Sequence, residues 1–347
     1  MSKASAAWGD SENADPAASM QPLELTGRVR SAHAGDVHST FSGRLRSRIV
    51  GLLPRARGLD VALDFDGTLV PIVPRPHLAV LGDRVREAIL RLAALEEVRV
   101  AVMSGRRLDD LESRTALPGV HLVGLAGIES RDSDGARNVH GRRRISEGLI
   151  EELEAWCRSH HGSWVENKGL AVSVHHRAVP PARRAAFIHG LIRRLAPHRA
   201  ALEITHGLMV HELRPAGSPT KGDALERWIG DSNDARVLIY LGDDANDRPA
   251  LALVRRLGGV PVCVGPRHVP APEHLAGPRA AMEFIEWLAD AWQSREKAAR
   301  GAITNGRATP SRDSSRDRES GRRTPGEART APTRRSDRSR SPAPRDR

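Results

Sequence analysis

The sequence has few cysteines, no long apolar run and no secretory leader pattern, and these absences exclude several classes of protein. Its two cysteines, Cys157 and Cys263, are far apart and fall in different predicted elements, which argues against a disulfide framework or a cysteine metal cluster. No apolar stretch is long enough to span a bilayer. Residues 1–45 do not join a positively charged start to an apolar segment, as a signal peptide does. We therefore expect a soluble, cytoplasmic protein with no membrane partner.

The positive charge of the chain is concentrated at its C-terminal end. Residues 298–347 contain fourteen arginines and six acidic residues, so they carry +8 of the total net charge of +11. This segment has almost no large apolar residue, and residues 1–45 are polar and rich in small side chains, so we expect both tails to be disordered. A solvated tail is the simpler interpretation of the basic segment; weak binding of nucleic acid or an acidic partner is the alternative.

One apolar stretch, residues 61–63, runs into two carboxylates and then breaks at a glycine, as a buried strand with a functional end does. Asp64 and Asp66 are two positions apart, so on an extended chain they project to the same side, about 6–7 Å apart. They can share a hard cation, and Gly67 lets the chain turn so that backbone N–H groups approach an anion. The pattern suits a site for Mg²⁺ and a phosphoryl group. A strand followed by an ordinary Asp-Gly turn is the alternative.

The order of predicted elements indicates an α/β protein with an insertion. Strands alternate with helices over residues 46–136 and again over residues 214–296, which predicts a core with a parallel sheet. Between them, residues 137–213 follow the pattern helix, two strands, helix, two strands, which predicts an α+β cap with an antiparallel sheet. Residues 297–347 form the predicted tail. Ligands of parallel sheets gather at the carboxyl ends of the strands.

Three of the predicted core strands end in polar motifs. These are Asp-x-Asp-Gly-Thr at residues 64–68, Ser-Gly-Arg at residues 104–106 and Gly-Asp-Asp-Ala-Asn-Asp at residues 242–247. If the strands are neighbours in one sheet, their motifs converge at one edge. Lys221 at a predicted helix N-terminus adds a cation where the helix dipole already favours anions.

Together these motifs resemble the four motifs of the haloacid dehalogenase (HAD) superfamily of phosphatases. More narrowly, Glu-Asn-Lys at residues 166–168, His-x-Arg at 175–177, Arg-Pro at 214–215 and Lys-Gly at 221–222 resemble the trehalose-6-phosphate phosphatases in order and spacing. The resemblance covers about residues 50–295. It implies a HAD-like Rossmannoid core with an inserted cap, and hydrolysis of trehalose 6-phosphate with Mg²⁺ as cofactor.

The resemblance also implies a role for each matching residue. Asp64 would be the nucleophile and Asp66 the general acid and base, with Lys221 as the third catalytic group. The implied metal site comprises Asp64, Asp66 through its backbone carbonyl, Asp243 and Asp247, the last as ligand or as a neighbour of the ligands. The implied phosphate ligands are Thr68, Ser104, Gly105 and Lys221. The implied sugar ligands are Arg106, Glu166, Lys168, His175, Arg177 and Glu212.

The chain also departs from the family pattern. After Gly127 the family usually has a His-Gly pair one residue on, whereas this chain has Ile-Glu-Ser at residues 128–130. Asn246 stands where Thr is usual, and Arg248 where an acid is usual. Two alternatives therefore remain: a capped HAD phosphatase for another sugar phosphate, and a binding protein with a basic tail and an inactive phosphatase core. Neither the oligomeric state nor the role of the tails follows from the sequence.

Overall fold

The computed structural model describes residues 41–73, 75–207, 209–230, 235–266 and 271–306. The chain divides into two units, Met1–Lys297 and Ala298–Arg347, and within the second unit only the end of one helix is described. The tails predicted to be disordered, residues 1–45 and 297–347, lie for the most part outside the described residues. Among the described residues, none of the helices combines the length and the apolar character needed to cross a membrane.

Twelve strands and eight α-helices are present in the described residues. The strands are β1 (Gly58–Asp64), β2 (Val98–Met103), β3 (His121–Gly124), β4 (Glu129–Arg131), β5 (Arg137–Val139), β6 (Trp164–Asn167), β7 (Val172–His175), β8 (Leu202–Gly207), β9 (Val210–Pro215), β10 (Arg236–Gly242), β11 (Val260–Val264) and β12 (Glu273–Leu275). The helices are α1 (Gly43–Leu52), α2 (Asp83–Ala93), α3 (Leu108–Thr115), α4 (Glu147–Arg158), α5 (Pro181–Leu195), α6 (Lys221–Ile229), α7 (Arg248–Arg256) and α8 (Pro278–Gly306).

The strands form two separate sheets. The larger sheet has the order β12-β11-β10-β1-β2-β3-β4-β5 and is parallel from β12 to β3, with β4 and β5 added antiparallel at one edge. The smaller sheet has the order β6-β7-β9-β8 and is antiparallel throughout. The predicted fold class, an α/β core with a parallel sheet and an α+β insertion, is confirmed.

Strand β1 lies at the centre of the larger sheet, between β10 and β2. All seven of its residues are buried. Leu59, Val61 and Leu63 pack in one apolar cluster with α1, α2, α3 and α8, whereas Ala62 packs on the opposite face with α6 and α7. Alternate side chains of a strand point to opposite faces, so this pattern places helices on both sides of the sheet. The carboxyl end of β1 is thereby held rigidly between two helical layers.

The smaller sheet is covered by helices on one face only. Val172, Val174 and Leu213 of this sheet pack against Leu153 of α4 and Phe187 of α5 in a single buried cluster. Antiparallel sheets of this kind leave the second face available for polar side chains. Several side chains of the sheet that are not in this cluster line the cleft described below.

Five elements differ from what the sequence predicts. Helix α1 and strands β4, β5 and β12 have no counterpart in the predicted order, and α8 continues to Gly306, past the residue at which the tail is predicted to begin. Helix α1 contains four polar or charged side chains among its ten residues, and only Leu45 and Ile49 of it are fully buried. The three strands are each three residues long. Such short segments carry too little hydrophobic periodicity to be recognised.

Candidate active site

The three polar motifs meet at one edge of the larger sheet because their strands are direct neighbours. Strand β1 pairs with β10 on one side and with β2 on the other, all in parallel. Asp64 is the last residue of β1 and lies opposite Met103, so Ser104 follows β2 at the same level. Asp243 follows the end of β10. The predicted convergence of the motifs is confirmed.

Three buried carboxylates and one buried ammonium form the centre of this edge. Oxygens of Asp64, Asp243 and Asp247 lie within 4.8 Å of one another. Lys221, the first residue of α6, reaches between two of them: its Nζ donates to Asp64 Oδ1 at 2.5 Å and to Asp247 Oδ1 at 2.6 Å. Its side chain is 1% exposed. Two of the three carboxylates are therefore paired with the same buried ammonium.

Burial disfavours the charged form of each of these groups, and the neighbouring charges add to that effect or oppose it. Burial raises the pKa of the Asp64 carboxyl well above its ordinary value of 3.8, Asp247 and Asp243 add to the rise, and Lys221 opposes it. Burial acts to lower the pKa of Lys221, but attraction to Asp247 and Asp64 outweighs it, so that pKa lies well above 10.5. The ammonium is thus permanently charged, while the carboxylates around it gain from any further cation.

Asp247 has little capacity left for another partner. Its Oδ1 accepts from Lys221 and from the hydroxyl of Tyr240 at 2.7 Å, and its Oδ2 accepts from the backbone N–H groups of Asp243 and Asp244, both at 3.0 Å. A carboxylate offers about four acceptor directions, and here all four are used. Asp247 therefore orients Lys221 and the loop after β10, which favours a place behind the metal ligands over direct ligation.

The space around the acidic cluster fits a small hard cation. Asp64 Oδ2 and Thr68 Oγ1 are buried and have no hydrogen-bond partner among the described residues. Gly67 has φ +91°, and a Cβ at this position would lie 2.0 Å from Asp243 Oδ2. Only glycine allows this approach of the loop to the carboxylate. Carboxylate oxygens are the ligands that Mg²⁺ prefers, so Asp64 and Asp243 are suitable donors.

The carboxylate of Asp66 is paired with Arg106. Nε and Nη2 of Arg106 donate to the two carboxylate oxygens of Asp66, each at 2.7 Å. The side chain of Asp66 remains 32% exposed and lines the cleft. The structure therefore places Arg106 against a predicted catalytic carboxylate, and its predicted role as a sugar ligand stays a prediction.

Polar side chains of the smaller sheet face the acidic cluster across a cleft. Nζ of Lys168 donates to the carbonyl of Gly105 at 3.0 Å and to Glu212 at 3.4 Å, which connects the two sheets. Nε2 of His175 lies 2.8 Å from Glu166. Arg177 donates to the carbonyl of Val73. Lys168 and Arg177 lie just beyond the ends of β6 and β7.

A single cleft brings together most of the predicted site residues. It is lined by Asp64, Asp66, Ser104, Gly105, Arg106, Glu166, Lys168, His175, Arg177, Glu212 and Asp243. Thr68, Lys221 and Asp247 are not in the lining and are completely buried at 0 to 1% exposure. The cleft is also lined by residues to which the sequence assigns no role, namely Ile72, Val73, Pro76, Thr205, Gly207, Val210, Asp244 and Asn246. Most of these have apolar or small side chains, which carry no local chemical signal.

The departure at residues 128–130 lies outside the cleft. Glu129 is in β4, and its Oε2 accepts from the N–H of Leu108 at the start of α3 at 2.8 Å. Ser130 Oγ lies 2.9 Å from Nε2 of His140 on the edge of the sheet. Neither residue lines the cleft. Their contacts support α3 and the sheet edge, so they do not alter the surface that faces a ligand.

Comparison with known sequences places the chain among phosphatases. The profile of a family described as trehalose-phosphatase matches residues 62–276. A trehalose-6-phosphate phosphatase of Escherichia coli is 29% identical over 236 residues, which cover 67% of this chain and 88% of that protein. A trehalose-phosphate phosphatase of Mycobacterium tuberculosis is 35% identical over 248 residues, which cover 67% and 62% of the two chains.

A further relative is much longer than this chain. A protein of Mycobacterium tuberculosis named an uncharacterized glycosyl hydrolase is 38% identical over 245 residues, which cover 66% of this chain and 18% of that protein. The chain thus spans only a small part of this relative, and similarity to it concerns one segment.

Solved structures share the fold. The C-terminal domain of a trehalose-6-phosphate phosphatase of C. albicans superposes with a TM-score of 0.65 at 21% identity, covering 71% of this chain and 96% of that one. A protein related to trehalose-6-phosphate phosphatase superposes with a TM-score of 0.54 at 22% identity, covering 66% and 96%. At this level of identity, the likeness concerns the architecture of both sheets and not the ligand.

Proposed function

The chain belongs to the trehalose-phosphatase family, and we propose that it hydrolyses trehalose 6-phosphate to trehalose and phosphate. The observation that carries the proposal is the cleft itself. A buried cluster of Asp64, Asp243 and Lys221 forms one end, suited to a phosphoryl group and a cation, and a polar sheet face with Glu166, His175 and Glu212 lies opposite, suited to sugar hydroxyls.

In the first half of the reaction, Asp64 attacks phosphorus. A bond forms between a carboxylate oxygen of Asp64 and phosphorus, and the bond from phosphorus to the sugar oxygen breaks with its electron pair on that oxygen. The sugar oxygen takes a proton from Asp66, and the sugar leaves as the alcohol trehalose. Oδ2 of Asp64, which accepts no hydrogen bond among the described residues, has the lone pairs that attack requires.

In the second half, Asp66 accepts a proton from water as the water oxygen attacks phosphorus. The bond between phosphorus and the Asp64 oxygen breaks, which frees the Asp64 carboxylate and releases phosphate. Lys221 keeps its charge through both halves and stabilises the negative charge on the transferring group. Ser104, Gly105 and Thr68 are the groups we assign to the remaining phosphate oxygens. All three lie beside the carboxyl ends of β1 and β2.

We assign the cation site to Asp64 and Asp243, with the backbone carbonyl of Asp66, and assign Asp247 to holding Asp243 and Lys221 in place. Mg²⁺ bound there would neutralise the repulsion between the carboxylate nucleophile and a dianionic phosphate. The close approach of three buried carboxylates, with oxygens within 4.8 Å of one another, supports this assignment.

The division into a core of residues 46–136 and 214–296 and a cap of residues 137–213 stays a prediction, as does a cytoplasmic location. Weak nucleic-acid binding by residues 298–347 also stays a prediction, since that segment lies mainly outside the described residues.

The proposed activity predicts phosphate release from trehalose 6-phosphate that depends on a divalent cation. Phosphate is measured colorimetrically with Mg²⁺, with EDTA, and with EDTA followed by excess Mg²⁺. We expect turnover with Mg²⁺, a loss of about 10³-fold or more with EDTA because the cluster then repels the phosphate, and recovery on adding Mg²⁺ back. Equal rates with and without EDTA would contradict the cation site, and no phosphate release under any condition would contradict the activity.

A further inference from the structure

Arg106 connects the cleft carboxylate Asp66 to a second carboxylate, Asp110. One guanidinium edge donates to both oxygens of Asp66 at 2.7 Å. Nη1 donates to Asp110 Oδ2 at 2.8 Å, and Nη2 also donates to the carbonyl of Pro76 at 2.9 Å. Four of the five N–H donors of the side chain are thus used within the protein. Arg106 has little capacity left to hydrogen-bond a sugar.

The far side of Arg106 is itself anchored. Asp110 Oδ1 accepts from Nε of Arg114 at 2.8 Å, and Nη1 of Arg114 donates to the carbonyl of His77 at 2.7 Å. The side chain of Arg106 is 10% exposed, and its guanidinium lies 5.5 Å from the centre of the Phe65 ring. Charges therefore alternate along Asp66, Arg106, Asp110 and Arg114. The backbone carbonyls of Pro76, which lines the cleft, and of the next residue, His77, accept from Arg106 and Arg114 and hold this row in place.

A planar guanidinium that bridges two carboxylate oxygens fixes the plane and rotation of the carboxyl group. Each oxygen keeps a second lone pair outside the paired edge. On Asp66 these remaining lone pairs are the positions from which a proton can be given to a leaving oxygen. General acid catalysis requires such alignment to within hydrogen-bond distance.

We propose that Arg106 is a positioning residue that orients Asp66 toward the leaving oxygen, and that it does not act as a sugar ligand. The inference rests on the proposed function, in which Asp66 donates that proton. It assigns Arg106, Asp110 and Arg114 a common task that the family resemblance does not include. Arg106 acts through Asp66 and touches no reacting atom.

The test uses three substrates that separate acid catalysis from sugar contact. Trehalose 6-phosphate has a sugar and an alkoxide leaving group, ethyl phosphate has an alkoxide leaving group without a sugar, and p-nitrophenyl phosphate has a stable phenolate leaving group that needs no proton. The readout is kcat/KM, because it covers only the steps up to departure of the leaving group. The variant is Arg106→Lys, which keeps the charge and loses the bridge.

We expect Arg106→Lys to lower kcat/KM about 100-fold for trehalose 6-phosphate and for ethyl phosphate, with less than about fivefold change for p-nitrophenyl phosphate. For the sugar phosphate the loss is expected in kcat. A loss confined to trehalose 6-phosphate, expressed as a higher KM, would show a sugar contact and overturn the proposal. An equal loss on all three substrates, or no loss on any, would overturn it as well.

Two further variants keep the test decisive if Arg106→Lys folds poorly. Asp110→Asn removes the outer anchor and is expected to show the same substrate pattern with about a tenfold loss. Arg84→Lys is the matched control: Arg84 makes a similar two-point pair with Glu286, at 2.8 and 2.9 Å, on the exposed surface away from the cleft. It is expected to change none of the three values.

The outcome is separable from that of the proposed activity. If the unmodified protein leaves trehalose 6-phosphate intact, the proposed activity fails. The ratio between ethyl phosphate and p-nitrophenyl phosphate then still decides the role of Arg106.

Discussion

Replacing Asp64 with Asn is expected to lower kcat on trehalose 6-phosphate by about 10⁴-fold or more, because the nucleophile is removed and no other group can take its place. Asp243 and Asp247 lie nearby, but Asp247 has all its acceptor directions in use and Asp243 follows a different strand. The rate is measured as phosphate release with Mg²⁺ present. Retention of more than a tenth of the activity would contradict the assignment.

The same variant is expected to be at least as stable as the unmodified protein when Mg²⁺ is absent. The folded-state pKa of Asp64 is raised above its unfolded value by burial. A carboxyl group shifted upward costs stability where it is ionised, above the folded pKa, and the cost disappears below 3.8. Asn carries no charge, and Lys221 keeps its bond to Asp247. Thermal unfolding at neutral pH in EDTA tests this, and a lower Tm would contradict it.

Replacing Lys221 with Met is expected to destabilise the protein by about 3–5 kcal/mol and to lower kcat by about 10³-fold or more. Met preserves much of the volume, so the loss arises from the charge. Without the ammonium, the buried carboxylates of Asp64 and Asp247 have no cationic partner. Urea unfolding in EDTA gives the stability, and phosphate release gives the rate.

The stability loss in Lys221→Met should depend on pH with a defined sign. Lys221 lowers the pKa of Asp64, so its removal raises that pKa further. The destabilisation relative to the unmodified protein should therefore shrink as pH falls through the raised pKa toward 3.8, because Asp64 becomes neutral. Lys297→Ala, at an exposed position of α8, is the control and should change stability by less than about 0.5 kcal/mol. A loss that does not vary with pH would contradict the role of charge.

The sheet edge could be predicted from the sequence because its signals are local. The apolar residues of β1, β2 and β10 mark buried strands, and each strand is followed at once by its polar motif. Parallel connection of such strands is restricted to a few topologies, so the convergence of their ends follows. The start of α6 at Lys221 agrees with the predicted helix N-terminus for the same reason.

The hydrogen bonding within the site could not be predicted in this way. Whether Arg106 binds a sugar or Asp66 depends on rotamers and on contacts with residues 66 and 76, which precede it by 40 and 30 positions. The sequence predicts Tyr240 only as an aromatic residue of a buried strand; the structure shows that its hydroxyl donates to Asp247. Strand β4 is stabilised by pairing with β3, and β5 by pairing with β4, and not by their own composition.

The most direct test of the proposed function is the ratio of kcat/KM for trehalose 6-phosphate to that for glucose 6-phosphate, both with Mg²⁺ and with Asp64→Asn as the blank. Both substrates carry a phosphate on a primary sugar oxygen, so the ratio isolates recognition of the second sugar ring. We propose that Glu166, Lys168 and His175, which line the cleft, recognise that ring. We predict a ratio of about 100 or more, the size expected for several hydrogen bonds. A ratio near one, or a preference for glucose 6-phosphate, would contradict the proposed substrate.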